Sequence, residues 1–280
     1  MDHGVAVNLA GILGVTKALI GMVHLLPLPG SPRWGGSIAE VIERALADAR
    51  ALEAGGLHAL LVENHGDVPF TPGRVDAATV AAMTAVIAEM RRSVGLPLGV
   101  NVLKNDAQSG LAIAAATGAT FIRVNVHVGA VVADQGIIES DAHTTLRYRR
   151  LLGADVKIFA DVQAKHGAPL APVELEQEAR DCVSRGLADA LVVSGKATGE
   201  ATPLEDVKRV RSAVPDVPLL VGSGVTPDSV AELLSVADGA IVGTFLKRDG
   251  RLGNPVDPDR VKLLVEAAHA VRAERRRRGG

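Results

Sequence analysis

The sequence predicts an α/β chain closed into a single (β/α)8 TIM barrel, and three observations carry that expectation. Short apolar runs alternate with longer helical patterns eight times along 280 residues, and such alternation argues parallel strands joined by helices. Apolar residues make up 48% of the chain but aromatics only 2%, so the core must be Ala, Val, Leu and Ile, as in helices layered on buried parallel strands. Finally, residues 218–247 read as strand, glycine-rich loop, helix, strand and second glycine-containing loop. In a barrel of this kind those would be the seventh and eighth units, whose loops commonly form a phosphate site. An open doubly wound sheet fits less well, because the first strand is not followed by G-x-G-x-x-G.

The elements follow in order. Residues 1–17 show no strong period and are expected to be a loose arm or a short helix closing the barrel bottom; the barrel itself spans 18–273. Its first strand is 18–23, followed by a Pro/Gly-rich loop holding the one tryptophan, Trp34. Ser37 with Glu40 three residues on marks a helix start, and Gly55-Gly56 stops that helix near Ala54. The later strands are 58–62, 98–102, 120–126, 156–160, 189–193, 219–221 and 240–242. The helices between them cover about 76–94, 109–117, 141–152, 172–186, 203–213 and 227–235, with a last helix at 258–273. A long loop through Asp134-Gln135-Gly136 follows strand four. Residues 274–280 read as a basic, disordered tail containing Arg275–Arg278.

Net charge is −2, so nothing global calls for nucleic acid. The single cysteine, Cys182, rules out an intrachain disulfide and sits on a helical pattern, where a buried small hydrophobe is the expected role. No eighteen-residue apolar run and no signal-peptide pattern occur. A cytoplasmic chain without an integral membrane segment is expected, with peripheral membrane association through the basic tail as the remaining membrane contact. Barrels of this size commonly oligomerise, so a homo-oligomer is expected.

Residues just past the strand ends are unusually polar for so apolar a chain. They are His24; Glu63, Asn64 and Asp67; Asn101 and Lys104; Arg123, Asn125 and His127; Asp161, Gln163, Lys165 and His166; and Ser194. Strand ends of one polarity converge on one cavity at the C-terminal face, and charges there are costly without a use. His24, Glu63, Asp161 and His166 are the catalytic candidates, suited to general acid–base work. Asn64, Asn101, Lys104, Arg123, Asn125, Gln163, Lys165 and Ser194 are substrate-binding candidates. The same charges would also serve as a structural network, Glu63 and Asp161 pairing with Arg123 or Lys104. Gly222, Ser223, Gly224, Gly243 and Thr244 would hold a phosphate through backbone N–H groups. No H-E-x-x-H spacing supports a metal site, and neither a metal nor a cofactor is expected. Lys157 and Lys196 qualify as Schiff-base lysines by topology alone.

Several ordered motifs carry a resemblance: Gly21-Met-Val-His24-Leu-Leu-Pro-Leu-Pro-Gly-Ser-Pro32, Glu63-Asn-His-Gly-Asp67, Arg123-Val-Asn125, Asp134-Gln-Gly136, Arg147-Tyr-Arg149, Ala160-Asp-Val-Gln-Ala-Lys-His166, Gly222-Ser-Gly224 and Asn254-Pro-Val-Asp257. Together, over about 18–265, they resemble the BtpA/SgcQ family. The resemblance implies a (β/α)8 barrel and either of two functions: handling of phosphorylated sugars or nucleosides, or photosystem I biogenesis. The chain departs from the family pattern at His65, where an aromatic is more usual, and at Gln163, where histidine is common; Lys196 falls in a variable slot. If the family's residue at position 163 is catalytic, His166 or His24 would take its place here. The leading expectation is an enzyme acting on a small phosphorylated metabolite by isomerisation, aldol-type or glycosidic cleavage. The alternative is a non-catalytic assembly factor docking on membrane complexes.

Overall fold

Eight parallel strands close on themselves in sequence order: Ala18–His24, Ala59–Glu63, Leu98–Asn101, Phe121–Val124, Lys157–Val162, Ala190–Val193, Leu219–Val221 and Gly239–Val242. We number these barrel strands one to eight. The computed structural model describes residues 8–278, with side chains as far as His269. The first seven residues of the expected N-terminal arm, and Gly279 and Gly280 of the tail, lie outside the described residues. Closure is direct, with Ala18 opposite Gly239 and Gly21 opposite Val242.

Strand periodicity divides the side chains into two populations. Outward-facing Leu19, Val23, Leu60, Val62, Val100, Ile122, Ile158 and Leu191 pack against the helices in the main core. Inward-facing Ile20, Met22, Leu61, Phe121, Phe159, Val192, Leu220 and Ile241 fill the lower barrel as a separate dry cluster. Phe121 and Phe159 stack there with centroids 4.5 Å apart. They have room because position 99 is glycine; a Cβ at Gly99 would stand 2.2 Å from the Phe121 ring. Leu9 and Leu13 of the short helix Leu9–Leu13 join this cluster, and the Asn8 side chain caps that helix by accepting from the Gly11 amide at 2.7 Å. The barrel bottom is therefore plugged with apolar side chains. Among the described residues, the buried polar side chains on the inward face, Glu63, Asn101, Arg123 and Asp161, lie at the top.

Two elements differ from the sequence reading. The loop after strand four is an antiparallel ribbon, Ala130–Ala133 against Gly136–Glu139, and Gly167–Pro169 from the next loop adds a third strand. Its strands are short and apolar on both faces: Val131 and Ile138 are buried, whereas Val132 and Ile137 are exposed. Without alternation there was no period to read. The last helix runs Pro258–Arg278, past the expected end at Ala273, because Glu and Arg continue a helix readily. No described helix is long and apolar enough to cross a membrane. Cys182 is buried, and burial pushes its thiol pKa up, so it is an inert packing residue.

One fully buried ion pair fastens the segment after strand eight to the first long helix, Ile38–Ala54. Lys247 Nζ lies 2.7 Å from Asp48 Oδ2, and both side chains are dry. The other Asp48 oxygen accepts from the Val256 amide at 2.7 Å. Burial pulls the Lys247 pKa down, and Asp48 opposes it. Removing one member strands a buried charge, so Asp48→Ala is expected to cost about 3–5 kcal/mol of stability. The double variant Asp48→Leu/Lys247→Met is expected to be less destabilised than either single change. Urea unfolding of the three variants checks this; equal losses in all of them would contradict it.

Candidate functional site

Each barrel strand delivers one inward residue to its top: His24, Glu63, Asn101, Arg123, Asp161, Ser194, Gly222 and Gly243. Six are polar and two are glycines, and the glycines belong to strands seven and eight. The resulting cavity, about 270 Å³, is lined by the side chains of His24, Glu63, Arg123 and Lys165 and by the loops Gly222–Thr226 and Gly243–Phe245. Thr198, Gly199, Gly250 and Arg260 complete the lining.

Arg123 and Asp161 form the centre of this layer. Nε and Nη2 of Arg123 donate to the two Asp161 oxygens at 2.8 and 2.9 Å, and the pair is dry. Asn125 Nδ2 adds a third bond to Asp161 at 2.9 Å. Burial works against the Arg123 charge, and the Asp161 carboxylate overcomes it, raising the guanidinium pKa. With both oxygens engaged, Asp161 is placed to hold Arg123 rather than to accept a substrate proton. Glu63 is less committed. Its Oε2 accepts from Asn101 Nδ2 at 2.8 Å, and its Oε1 lies 3.9 Å from His24 Nε2. Burial pushes the His24 pKa well below the ordinary imidazole range, and Lys247, His65, Lys165 and Arg123 push the same way. His24 is therefore neutral at pH 7, and the 3.9 Å contact joins a neutral ring to a carboxylate rather than forming an ion pair. His24 Nδ1 is buried with no hydrogen-bond partner among the described residues, and the ring meets His65 edge-on at 5.2 Å.

The loops after strands seven and eight line the cavity with small residues. Gly222 must lack a side chain: a Cβ would stand 2.4 Å from Ser194 Oγ and 3.3 Å from Arg123 Nη2. Gly224 has φ +65° and lies against Ala201, a position only glycine fills easily. Helix Pro227–Val236 begins here, with Thr226 as its N-cap residue and proline in its first turn. The Thr226 amide donates to Ser229 Oγ at 3.0 Å. The amides of Gly224 and Val225 meet no backbone acceptor among the described residues. Across the gap, the turn Thr244–Leu246 starts at Gly243. Two small-residue loops and a helix N-terminus thus face one space, an arrangement suited to an anion.

The structure brings together His24, Glu63, Arg123, Lys165, Gly222, Ser223, Gly224, Gly243 and Thr244 of the residues singled out from sequence. Asn101, Asn125 and Asp161 support that lining from behind. Asn64 ties its own loop to the next, accepting from the Leu103 amide at 2.7 Å and donating to Asp67 at 3.1 Å. Gln163 is exposed at φ +55° and is not part of the lining. His166 is also exposed, and its Nε2 meets Thr198 Oγ1 at 3.0 Å, bridging the loops after strands five and six. Ser194 Oγ is buried beneath Gly222 without a partner among the described residues. The Ser223 hydroxyl accepts from the Gly195 amide at 2.8 Å and so latches two loops together. Lys104 is buried behind the cavity and donates to the Lys165 carbonyl at 3.3 Å; burial lowers its pKa, with Asp161 and Glu63 opposing. Lys157 pairs with Asp155 and Lys196 is exposed, so neither reaches the cavity. Among the described residues no three His, Cys, Asp or Glu side chains gather as a metal-binding group.

Arg260 was missed. Its Nε donates to the Phe245 carbonyl at 2.5 Å, and its guanidinium lies 4.4 Å over the Phe245 ring. A signal was present in the sequence: Arg260 occupies the first turn of the last helix, the end where the macrodipole disfavours a cation. A charge at the wrong end of a helix calls for a partner of opposite sign.

The lowered His24 pKa has a consequence for acid stability. Below about pH 6.5 an unfolded imidazole takes up a proton, whereas the buried one stays neutral until lower pH. The unfolded state then binds more protons, so stability falls as pH drops from 7 and levels off below the folded pKa. His127, also lowered by burial against the raising effect of the Gly186 carbonyl, adds to the same slope. His24→Gln is expected to lose less stability than wild type between pH 7 and 5.5 in denaturant titrations. An unchanged slope would refute the neutral assignment.

Comparison with known proteins agrees with the architecture and places the chain by sequence. In the solved thiamine phosphate pyrophosphorylase from Pyrococcus furiosus the same fold recurs: TM-score 0.56 at 14% identity, over 91% of this chain and 96% of that one. The photosystem I biogenesis protein BtpA of Synechocystis sp. is 49% identical over 249 residues, 89% of this chain and 87% of that protein. The putative sgc region protein SgcQ of Escherichia coli is 35% identical over 264 residues, 93% of this chain and 97% of that protein. The family model described as BtpA family matches residues 15–270. With nearly the whole barrel matched in this way, the chain belongs to the BtpA family.

Proposed function

We propose that this protein is an enzyme acting on a small phosphorylated metabolite at the C-terminal face of its barrel. The observation that carries the reading is that one cavity joins two kinds of lining. Unengaged amides at Gly224 and Val225, the start of helix Pro227–Val236 and Arg260 suit an anion, and Glu63 and neutral His24 share the same space. The phosphate would sit between the Gly222–Thr226 and Gly243–Phe245 loops. Arg260 supplies a cation that a backbone-only site would lack. Structural relatives support the class, since a barrel of this shape is found in a protein named thiamine phosphate pyrophosphorylase.

The chemistry follows from which groups are free. Glu63, with one oxygen unengaged, is the base. His24, neutral and buried, is a hydrogen-bond donor or acceptor to the reacting oxygen rather than a cation. Arg123, held rigid by Asp161 and Asn125, stabilises developing negative charge without reorganising. That set suits proton abstraction beside a carbonyl, and so isomerisation or aldol-type cleavage; glycosidic cleavage would use the same carboxylate. The second reading, a non-catalytic assembly factor, is favoured by the 49% identity to a protein named for photosystem I biogenesis.

Thermal-shift measurements with inorganic phosphate, sugar phosphates and nucleoside monophosphates separate the two. A phosphorylated compound is expected to raise Tm, and Arg260→Ala to weaken its binding about tenfold, or about 1.4 kcal/mol. If no phosphorylated compound raises Tm while deletion of residues 275–280 abolishes binding to membrane complexes, the enzyme reading is lost.

A further inference from the structure

We propose that Lys165 is a nucleophilic lysine that forms an imine with the carbonyl carbon of the phosphorylated ligand. The proposal rests on the phosphate-binding reading above and deepens it, because it selects a ligand class: a phosphorylated aldehyde or ketone with a free carbonyl. A nucleoside phosphate, whose sugar carbon is locked in a glycosidic bond, does not offer one.

Position is the first argument. Lys165 leaves the loop after strand five and reaches across the barrel mouth to strand seven, where its Nζ donates to the Gly222 carbonyl at 2.9 Å. The ammonium therefore lines the cavity beside the Gly222 carbonyl, in the same space as Glu63. That hydrogen bond holds one N–H and orients the nitrogen. No ion pair is made by this ammonium among the described residues. The other lysines near the barrel mouth are excluded one by one. Lys247 is committed to Asp48, Lys104 donates to the Lys165 carbonyl from behind the lining, and Lys196 is exposed.

Electrostatics is the second. Arg123 and Lys104 flank Lys165 with positive charge, as His24 and His166 would if protonated. Glu63 and Asp161 oppose them, but Asp161 is already spent on Arg123 and Asn125. Burial, then Arg123, lower the Lys165 pKa to about 8 despite those carboxylates. Lys165 is half-buried beside another cation, surroundings that expose an amine lone pair nearer neutral pH.

The step balances without an oxidant or reductant. The Nζ lone pair adds to the carbonyl carbon, the C–O π electrons move to oxygen, and that oxygen takes a proton. The nitrogen gives up one proton, the carbinolamine hydroxyl takes one and leaves as water, and nitrogen forms the C=N bond with its remaining proton in place. The protonated imine draws electrons from the neighbouring carbon. Glu63, across the cavity, is placed to take a proton from that carbon.

The full chain, incubated at pH 7.5 with glyceraldehyde 3-phosphate or pyridoxal 5′-phosphate and reduced with borohydride, tests this by peptide mass spectrometry. Lys165 is expected to be labelled by at least one of the two aldehydes about tenfold faster than exposed Lys196 and Lys208. Inorganic phosphate should slow that labelling, and its rate should rise with a midpoint near pH 8. Lys165→Met should remove this label and leave the others. Labelling of Lys165 by both aldehydes no faster than Lys196, while inorganic phosphate still raises Tm, overturns the imine and leaves the phosphate site standing. Absence of both the fast label and the phosphate-induced Tm shift overturns the two together.

Discussion

The bidentate pair between Arg123 and Asp161 is the constraint around which the barrel mouth is arranged. Two charges taken fully out of water repay their desolvation only with near-ideal geometry and further hydrogen bonds. Both conditions are met, by paired 2.8 and 2.9 Å contacts and by Asn125. The pair in turn constrains its neighbours. A Cβ at position 222 would stand 2.4 Å from Ser194 Oγ and 2.5 Å from Val192 Cγ1 and would crowd Arg123 Nη2 at 3.3 Å, so this position must be glycine. That same glycine begins the Gly222–Thr226 loop.

Beneath this layer the barrel is dry, and the contrast sets the chemistry. The Phe121–Phe159 stack and the aliphatic residues around it exclude water from below, so charges above them feel a low dielectric. Burial then acts differently on each group. It keeps His24 neutral and brings Lys165 within reach of neutral pH, whereas Arg123, supplied with a carboxylate, stays charged. One environment produces an unprotonated ring, a nucleophilic amine and a permanent cation, and the partner available to each decides which.

The far side of the mouth depends on elements remote in sequence. Lys247, buried against Asp48, fixes the chain just after the Thr244–Leu246 turn. Asp48 also takes the Val256 amide, two residues before the helix that carries Arg260. A charge buried in the first long helix thus sets the position of an arginine at the cavity rim. His166, through Thr198, and Ser223, through Gly195, tie neighbouring loops in the same way. Several polar residues that look like ligands in a linear reading are struts between loops.

What the sequence alone determined is whatever is local and periodic. Eight apolar runs, each ending in a polar residue or glycine, specified the strands, their order and the face on which the polar groups emerge, because side-chain direction alternates strictly along a strand. The glycines at 222, 224 and 243 marked the seventh and eighth loops for the same reason, since backbone conformation and close approach leave their mark on single positions. Tertiary structure alone decided the pairings. Asp161 meets Arg123 across 38 residues, Lys247 meets Asp48 across 199, and Lys165 reaches Gly222 across 57. Nothing in a linear pattern says which carboxylate finds which cation, so Asp161 reads as a base until its oxygens are seen to be occupied. The ribbon at Ala130–Glu139 stayed hidden because both of its faces are apolar, and Arg260 because its partner is a loop fifteen residues away. Composition announces that a polar layer exists; only the closed barrel decides which of its members remain free to react.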